Sequence, residues 1–139
     1  MTRTAKRARR LLDCYCFPGF RPEQTVCGVF GDPKDQAQSA FKKTACGCCG
    51  RVQMGWYDRK LRRVRDLSCG DTRIFLELEV RRLDCRRCGK VKRERLDFLA
   101  DNPLYTKRFA YYVGRRCRSA TIKDVAGELK LDWHTVKAL

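Results

Sequence analysis

The sequence predicts an α+β protein in which a small antiparallel zinc-ribbon sheet is followed by a helical helix-turn-helix domain. Two Cys-x-x-Cys-Gly motifs, at residues 46–50 and 85–89, predict the ribbon, because such pairs bind structural zinc. A strand-like alternation at residues 72–83 gives way after residue 101 to helical spacing of apolar residues. The net charge is +16, from 32 Lys and Arg against 16 acidic residues, which predicts a polyanionic partner such as nucleic acid.

We expect three segments along the chain. Residues 1–45 would form a basic arm and a β-hairpin region that packs on the ribbon. Residues 24–30 have strand chemistry, and residues 37–44 would form the returning strand that leads to Cys46. The zinc ribbon would occupy residues 46–100 and the helix-turn-helix residues 101–139.

The two cysteine pairs predict a single tetrahedral zinc site with four thiolate ligands: Cys46, Cys49, Cys85 and Cys88. Thiolates three residues apart can bind one cation from a tight turn, and the following glycine allows a positive φ. The 35 residues between the pairs exceed the usual separation of roughly 15–20, so this insert must be folded.

Other ligand sets remain open at this stage. Cys48 is an additional thiol that could replace a neighbour as ligand, and Cys14, Cys16 and Cys27 suggest a weaker second site without an evident fourth ligand. A rubredoxin-like iron protein also uses two knuckles, but the high positive charge argues against it.

The insert is expected to contain an extended stretch at residues 52–57, a turn at Cys69, Gly70 and Asp71, and strands at residues 72–83 and 91–96. Between them, residues 58–66 are dense in positive charge, and we interpret residues 59–65 as a DNA-contacting loop. Its expected phosphate contacts are Arg59, Lys60, Arg62, Arg63 and Arg65.

In the third segment, Asn102 and Pro103 predict a helix start. This helix would carry an apolar stripe that faces the core of the domain. The stripe contains Tyr105, Phe109, Tyr112, Val113 and Cys117. Thr121 and Asp124 resemble a capping box for a second helix over residues 122–129.

Asp132 would cap a third helix, with Leu131 filling the turn and Val136 pointing inward. In a helix-turn-helix this third helix enters the major groove. The expected DNA contacts are Trp133, His134, Thr135 and Lys137. For His134 an exposed polar residue is the alternative, and Trp133 could instead pack against the helix start.

Several classes of function are disfavoured. No apolar signal segment opens the chain and no stretch approaches the length of a membrane span, so we expect a reducing, cytosolic compartment. No serine–histidine pairing, P-loop or HExxH motif is present, so no catalytic residues are predicted.

From Cys46 to its end the chain resembles the N-terminal region of the ISL3 family of bacterial insertion-sequence transposases. Besides the two cysteine motifs, the residues that carry this resemblance are Asp58, Arg65, Asp66, Leu67, Arg81, Arg82 and Glu94. One departure is Gly47, where the knuckle often has proline. The resemblance implies that the ribbon and helix-turn-helix recognise terminal inverted repeats in double-stranded DNA, and that the protein works in the bacterial cytoplasm in association with the nucleoid.

In that family a larger RNase-H-like domain then cuts and joins DNA. The chain ends inside the expected third helix, so we interpret it as a fragment and predict no strand cleavage by this chain alone. The alternative function is a regulatory protein-interaction module from a truncated transposase, which would associate with itself or with a full-length transposase through residues 1–45.

Overall fold

The computed structural model describes residues 14–18, 20 and 43–139. Within them the order is five strands and then three helices, which confirms the α+β class. The strands are β1 (Lys43–Ala45), β2 (Val52–Met54), β3 (Asp58–Cys69), β4 (Thr72–Cys85) and β5 (Lys90–Arg93). The helices are α1 (Lys107–Arg116), α2 (Ile122–Leu129) and α3 (Trp133–Ala138). The predicted basic arm and the strand at residues 24–30 lie outside the described residues.

The dominant feature of the sheet is a long antiparallel hairpin formed by β3 and β4. Its register runs from Asp58 opposite Arg82 to Asp66 opposite Ile74, and the turn at Gly70 has a φ of 61°. One face is apolar and buries side chains of both strands against residues 96–99 and Phe20; these are Val64, Leu78 and Val80. The predicted turn and the strand at residues 72–83 are confirmed.

The prediction of a loop at residues 59–65 is wrong, because these residues form the middle of β3. Charge density was interpreted as a sign of a loop, but a strand needs apolar residues on one face at most. Here β4 supplies most of that apolar face, while Arg59 and Arg63 pair across the other face with Glu79 and Glu77.

The remaining strands bring the two knuckles together. β5 continues the sheet beside the end of β4, and β1 pairs with β2 in a second small sheet. The two sheets join where the Gly47 amide donates to the Arg93 carbonyl at 2.9 Å and the Arg95 amide to the Ala45 carbonyl at 2.8 Å. The strand predicted at residues 91–96 exists but ends at Arg93. Of the returning strand predicted at residues 37–44, only residues 43 and 44 are described; they belong to β1, which pairs with β2.

The predicted start of the first helix at Asn102 and Pro103 is wrong, since α1 begins at Lys107. Thr106 is the N-cap, and its hydroxyl accepts the Phe109 amide at 3.2 Å. Residues 104–106 instead extend beside β3, where Arg65 donates its amide to the Leu104 carbonyl at 2.8 Å and accepts the Thr106 amide at 3.1 Å. This pairing with a distant strand overrides the local capping signal.

The two following helices agree with the sequence prediction. Thr121 and Asp132 cap α2 and α3, accepting amide hydrogens at 3.1 and 2.8 Å. The helical domain has one apolar core, made of Phe109, Val113, Val125, Ala126, Leu129 and Val136, with Leu131 partly buried against it. None of the helices that the structure describes is long and apolar enough to cross a membrane.

Candidate metal centre and nucleic-acid interface

The structure brings together the four cysteines that the motifs predict. The Sγ atoms of Cys46, Cys49, Cys85 and Cys88 all lie within 4.8 Å of one another. Two of the separations are 3.9 Å, between Cys46 and Cys88, and 3.5 Å, between Cys49 and Cys85. A tetrahedral zinc site with Zn–S bonds of about 2.3 Å requires S···S separations of about 3.8 Å. The spacing therefore fits one tetrahedral zinc ion.

Glycines shape both knuckle turns. Gly50 and Gly89 have φ values of 71° and 64°, and their amides donate to the carbonyls of Cys46 and Cys85 at 2.9 and 2.8 Å. At Gly47 the reason is space, since a Cβ atom there would lie 2.6 Å from the Arg93 carbonyl oxygen. This close approach of β5 leaves no room at position 47 for the proline that the knuckle often has there.

The turns also favour the thiolate form of two ligands. Hydrogen bonds from the backbone amides of Cys49 and Cys48 lower the pKa of Cys46 to about 6. The amide of Cys88 likewise lowers the pKa of Cys85, whereas hydrogen bonding with Cys49, together with burial, raises the pKa of Cys88. Because thiolates are the form that binds zinc, this donor set holds one Zn²⁺.

The other cysteines do not join a second cluster among the residues that the structure describes. Cys48 is exposed and is not one of the four grouped thiols, so it is not a ligand here. Cys14 and Cys16 are both exposed, and Cys27 lies outside the described residues.

Four charged residues that carry the family resemblance, but had no predicted role, form ion pairs near the metal site. Glu94 is buried and accepts the Arg81 amide at 2.8 Å and two of its guanidinium nitrogens at 3.1 and 2.9 Å. Arg82 pairs with Asp58. The first pair holds the end of β4 against the segment after β5, where Glu94 bridges to Cys46, so it positions both halves of the metal site. The second pair holds β4 against the start of β3. Sequence reasoning missed these partners because they lie far apart in the chain.

The basic side chains predicted on residues 59–65 are divided between the two faces of β3. Arg59 and Arg63 share one face with Glu79 and Glu77, at 3.5 and 3.6 Å. Lys60 and Arg62, both exposed, lie on the other face, opposite Val80 and Leu78.

Arg65 is not available for DNA. Its exposed fraction is 4%, and its guanidinium lies over the Phe109 ring, 4.9 Å from the centroid. Burial lowers the pKa of Arg65. We therefore leave it out of the interface.

The third helix presents its predicted face to solvent. Trp133, His134 and Lys137 are exposed and Thr135 is half-buried, while Val136 is buried in the helical core. The Trp133 and His134 rings contact each other with centroids 3.7 Å apart. Such an arrangement, with an inward anchor and outward polar and aromatic side chains, is what a recognition helix requires.

A buried carboxylate joins the ribbon to the helical domain. Asp66 is fully buried and accepts the Thr106 hydroxyl at 2.7 Å and the Arg108 Nε at 2.8 Å. The Arg108 guanidinium also lies over the Tyr15 and Phe17 rings, 5.2 and 4.7 Å from their centroids. The pKa of Arg108 is raised mainly by its hydrogen bonds to Asp66.

Comparisons with known proteins match both parts of this architecture. The zinc finger of the transposases IS204/IS1001/IS1096/IS1165 matches residues 42–88, and the helix-turn-helix domain of transposase family ISL3 matches residues 94–139. The transposase for insertion sequence element IS1001 of Bordetella parapertussis is 35% identical over 112 residues, which are 78% of this chain and 28% of that protein. The chain thus spans less than a third of that relative's length. No solved structure matches the chain significantly.

Proposed function

The chain belongs to the ISL3 family of transposases, and on that premise we propose that it binds the terminal inverted repeats of a mobile element in a sequence-specific, zinc-dependent manner. The observation that carries this proposal is the exposed face of α3 over a buried Val136. A helix-turn-helix reads base edges in the major groove with its second helix, which is α3 here.

The side chains on α3 divide by chemistry into base-reading and phosphate-binding candidates. His134 and Thr135 can donate and accept hydrogen bonds at base edges. Lys137, in the last turn, supplies a positive charge for phosphate, and Trp133 supplies a large flat surface at the start of the helix. We assign discrimination between base sequences to His134 and Thr135, and sequence-independent affinity for DNA to Lys137.

The ribbon would contribute contacts to the DNA backbone. Lys60 and Arg62 are the better candidates on β3, because Arg59 and Arg63 already pair with Glu79 and Glu77. Contacts of this kind position a protein on a duplex without reading its sequence.

Binding of labelled duplexes that carry the terminal repeats of the element tests this proposal. We expect affinity at least tenfold above that for a scrambled duplex of equal composition, and a steep loss of affinity as salt rises. His134→Ala should reduce the preference for the repeat, by about 1–3 kcal/mol for a lost base contact. Lys137→Ala should lower the affinity for the repeat duplex and for the scrambled duplex by the same factor.

The matched control is Lys107→Ala, which removes one exposed charge from the first residue of α1 rather than from α3. It should leave the preference for the repeat unchanged. Equal affinity of the unmodified protein for repeat and scrambled duplexes would contradict specific recognition.

A further inference from the structure

We infer that the zinc end of the ribbon is a second duplex-contacting surface, held at a fixed distance from the helical domain, so that the chain contacts two segments of one duplex. The inference rests on the proposed function. The surface consists of five side chains that we call the knuckle cations: Arg51, Arg86, Arg87, Lys90 and Arg93.

The fold gathers the knuckle cations at one end of the molecule. Arg86 and Arg87 lie between two metal ligands, and Lys90 is opposite Cys85 in the sheet. Arg51 accepts the Cys46 amide at 2.9 Å through its carbonyl, and Arg93 accepts the Gly47 amide in the same way. Because each cation is tied to a knuckle and the knuckles share one metal site, their positions are fixed together.

These side chains are exposed, and none of the five forms an ion pair among the residues that the structure describes. By contrast Arg59 and Arg63 on β3 both pair with glutamates. On β3 this leaves Lys60 and Arg62 as exposed cations without an ion pair among the described residues, so the zinc end carries the larger group of such cations.

Charge balance of the metal centre accounts for only part of this cluster. A zinc ion with four thiolates carries a net charge of about −2, and Asp84 adds one negative charge beside Cys85. The knuckle cations exceed that sum. The remaining positive charge favours binding of a polyanion. The duplex that α3 would bind is such a polyanion and would lie next to the protein.

The length of the hairpin matches the repeat of DNA. β4 runs from Ile74, opposite Asp66, to the ligand Cys85, and at about 3.3 Å per residue this stretch spans about 35 Å. One turn of B-DNA is about 34–36 Å. With the hairpin along the duplex, the knuckle cations would lie about one DNA turn from Asp66, where the helical domain that carries α3 is attached.

The spacing would be rigid because Asp66 locks the helical domain to the hairpin. Its buried carboxylate accepts hydrogen bonds from Thr106 and Arg108, and the Arg65 backbone pairs with Leu104 and Thr106 beside it. Asp66 would then act as a positioning residue that sets the distance between the two contacts.

Footprinting of the zinc-loaded protein on the terminal-repeat duplex tests the second contact. We expect two separate protected segments, one at the bases that α3 would read and one on the zinc side. The double variant R86Q/R87Q should lose the segment on the zinc side and flatten the salt dependence by about two units of slope, while retaining zinc.

The matched control R115Q/R118Q removes two exposed charges from the helical end and should keep that segment. A single protected segment with the unmodified protein, or equal losses in both variants with no change in the footprint, would overturn the inference and leave the proposed function standing. Absence of any preference for the repeat would instead overturn the proposed function.

A second measurement tests the rigid spacing. Inserting five base pairs between the protected segments turns one of them to the opposite side, and should lower the affinity of the unmodified protein at least tenfold. Asp66→Asn should reduce this penalty several-fold, whereas Glu128→Gln, which removes the exposed ion pair with Arg116 inside the helical domain, should keep it. If the unmodified protein tolerates the insertion, the inference is wrong, whether or not the Asp66 variant folds.

Discussion

The zinc end and the helical end of this protein are stabilised in opposite ways. At the zinc end the buried apolar cluster consists of Cys46, Leu83 and Cys85, and two of these are metal ligands. At the helical end six buried apolar residues from three helices pack together without any ligand. We therefore expect the zinc end to depend on an ion for its fold, whereas the helical end depends on shape and packing. Three changes test this difference.

Removal of zinc should have the largest effect, and only at one end. Structural zinc contributes apparent values of roughly 10–16 kcal/mol in small domains, and little buried apolar surface could replace it here. In a chelator with reductant, we expect the amide signals of β1, β2 and β5 to lose their dispersion while those of α2 and α3 persist. Nuclear magnetic resonance would follow both ends in one sample. Unchanged spectra would show that the ribbon folds without the ion.

Phe109→Ala should destabilise the helical end by about 3–5 kcal/mol, because it removes a fully buried ring from the core. Urea unfolding followed through helical circular dichroism measures the loss, and the zinc content should stay at one ion per chain. Tyr111→Ala is the control: this neighbouring ring is 78% exposed, and its removal should change stability by less than about 0.5 kcal/mol. Similar losses in both variants would contradict the assigned core.

The smallest change should come from Gly47→Ala, at the zinc end. Its Cβ would lie 2.6 Å from the Arg93 carbonyl oxygen, so β5 must shift away from the first knuckle. We expect about 1–3 kcal/mol of weaker zinc affinity, the usual cost of overpacking, measured by competition with a chromophoric chelator. Gly114→Ala provides the control, because a Cβ there meets no atom within 4 Å. Unchanged zinc affinity for Gly47→Ala would mean that β5 yields freely.

Some elements were predictable because their signals are local. The Cys-x-x-Cys-Gly spacing identified the metal ligands, because two cysteines three positions apart and a following glycine form a tight turn wherever the motif lies in the chain. Thr121 and Asp132 identified the starts of α2 and α3, because a cap accepts an amide only two or three residues further on.

The errors share a different cause, which is pairing between distant residues. Helix α1 begins at Lys107 instead of at residues 102–103, because residues 104–106 pair with Arg65. The residues predicted as a basic loop form β3, because they pair with β4. Arg65 was assigned to DNA from its neighbours in sequence, yet Phe109 covers it. The sequence does not indicate which distant residue each of these residues contacts.

The metal, its four ligands, the order of sheet and helices and the excess of positive charge could all be inferred from the amino-acid sequence. The exposure of individual cations, and the contact by which Asp66 joins the hairpin to the helical domain, required the folded structure. Ligand spacing and helix caps act within a few residues, whereas burial and ion pairing depend on where the whole chain brings each side chain.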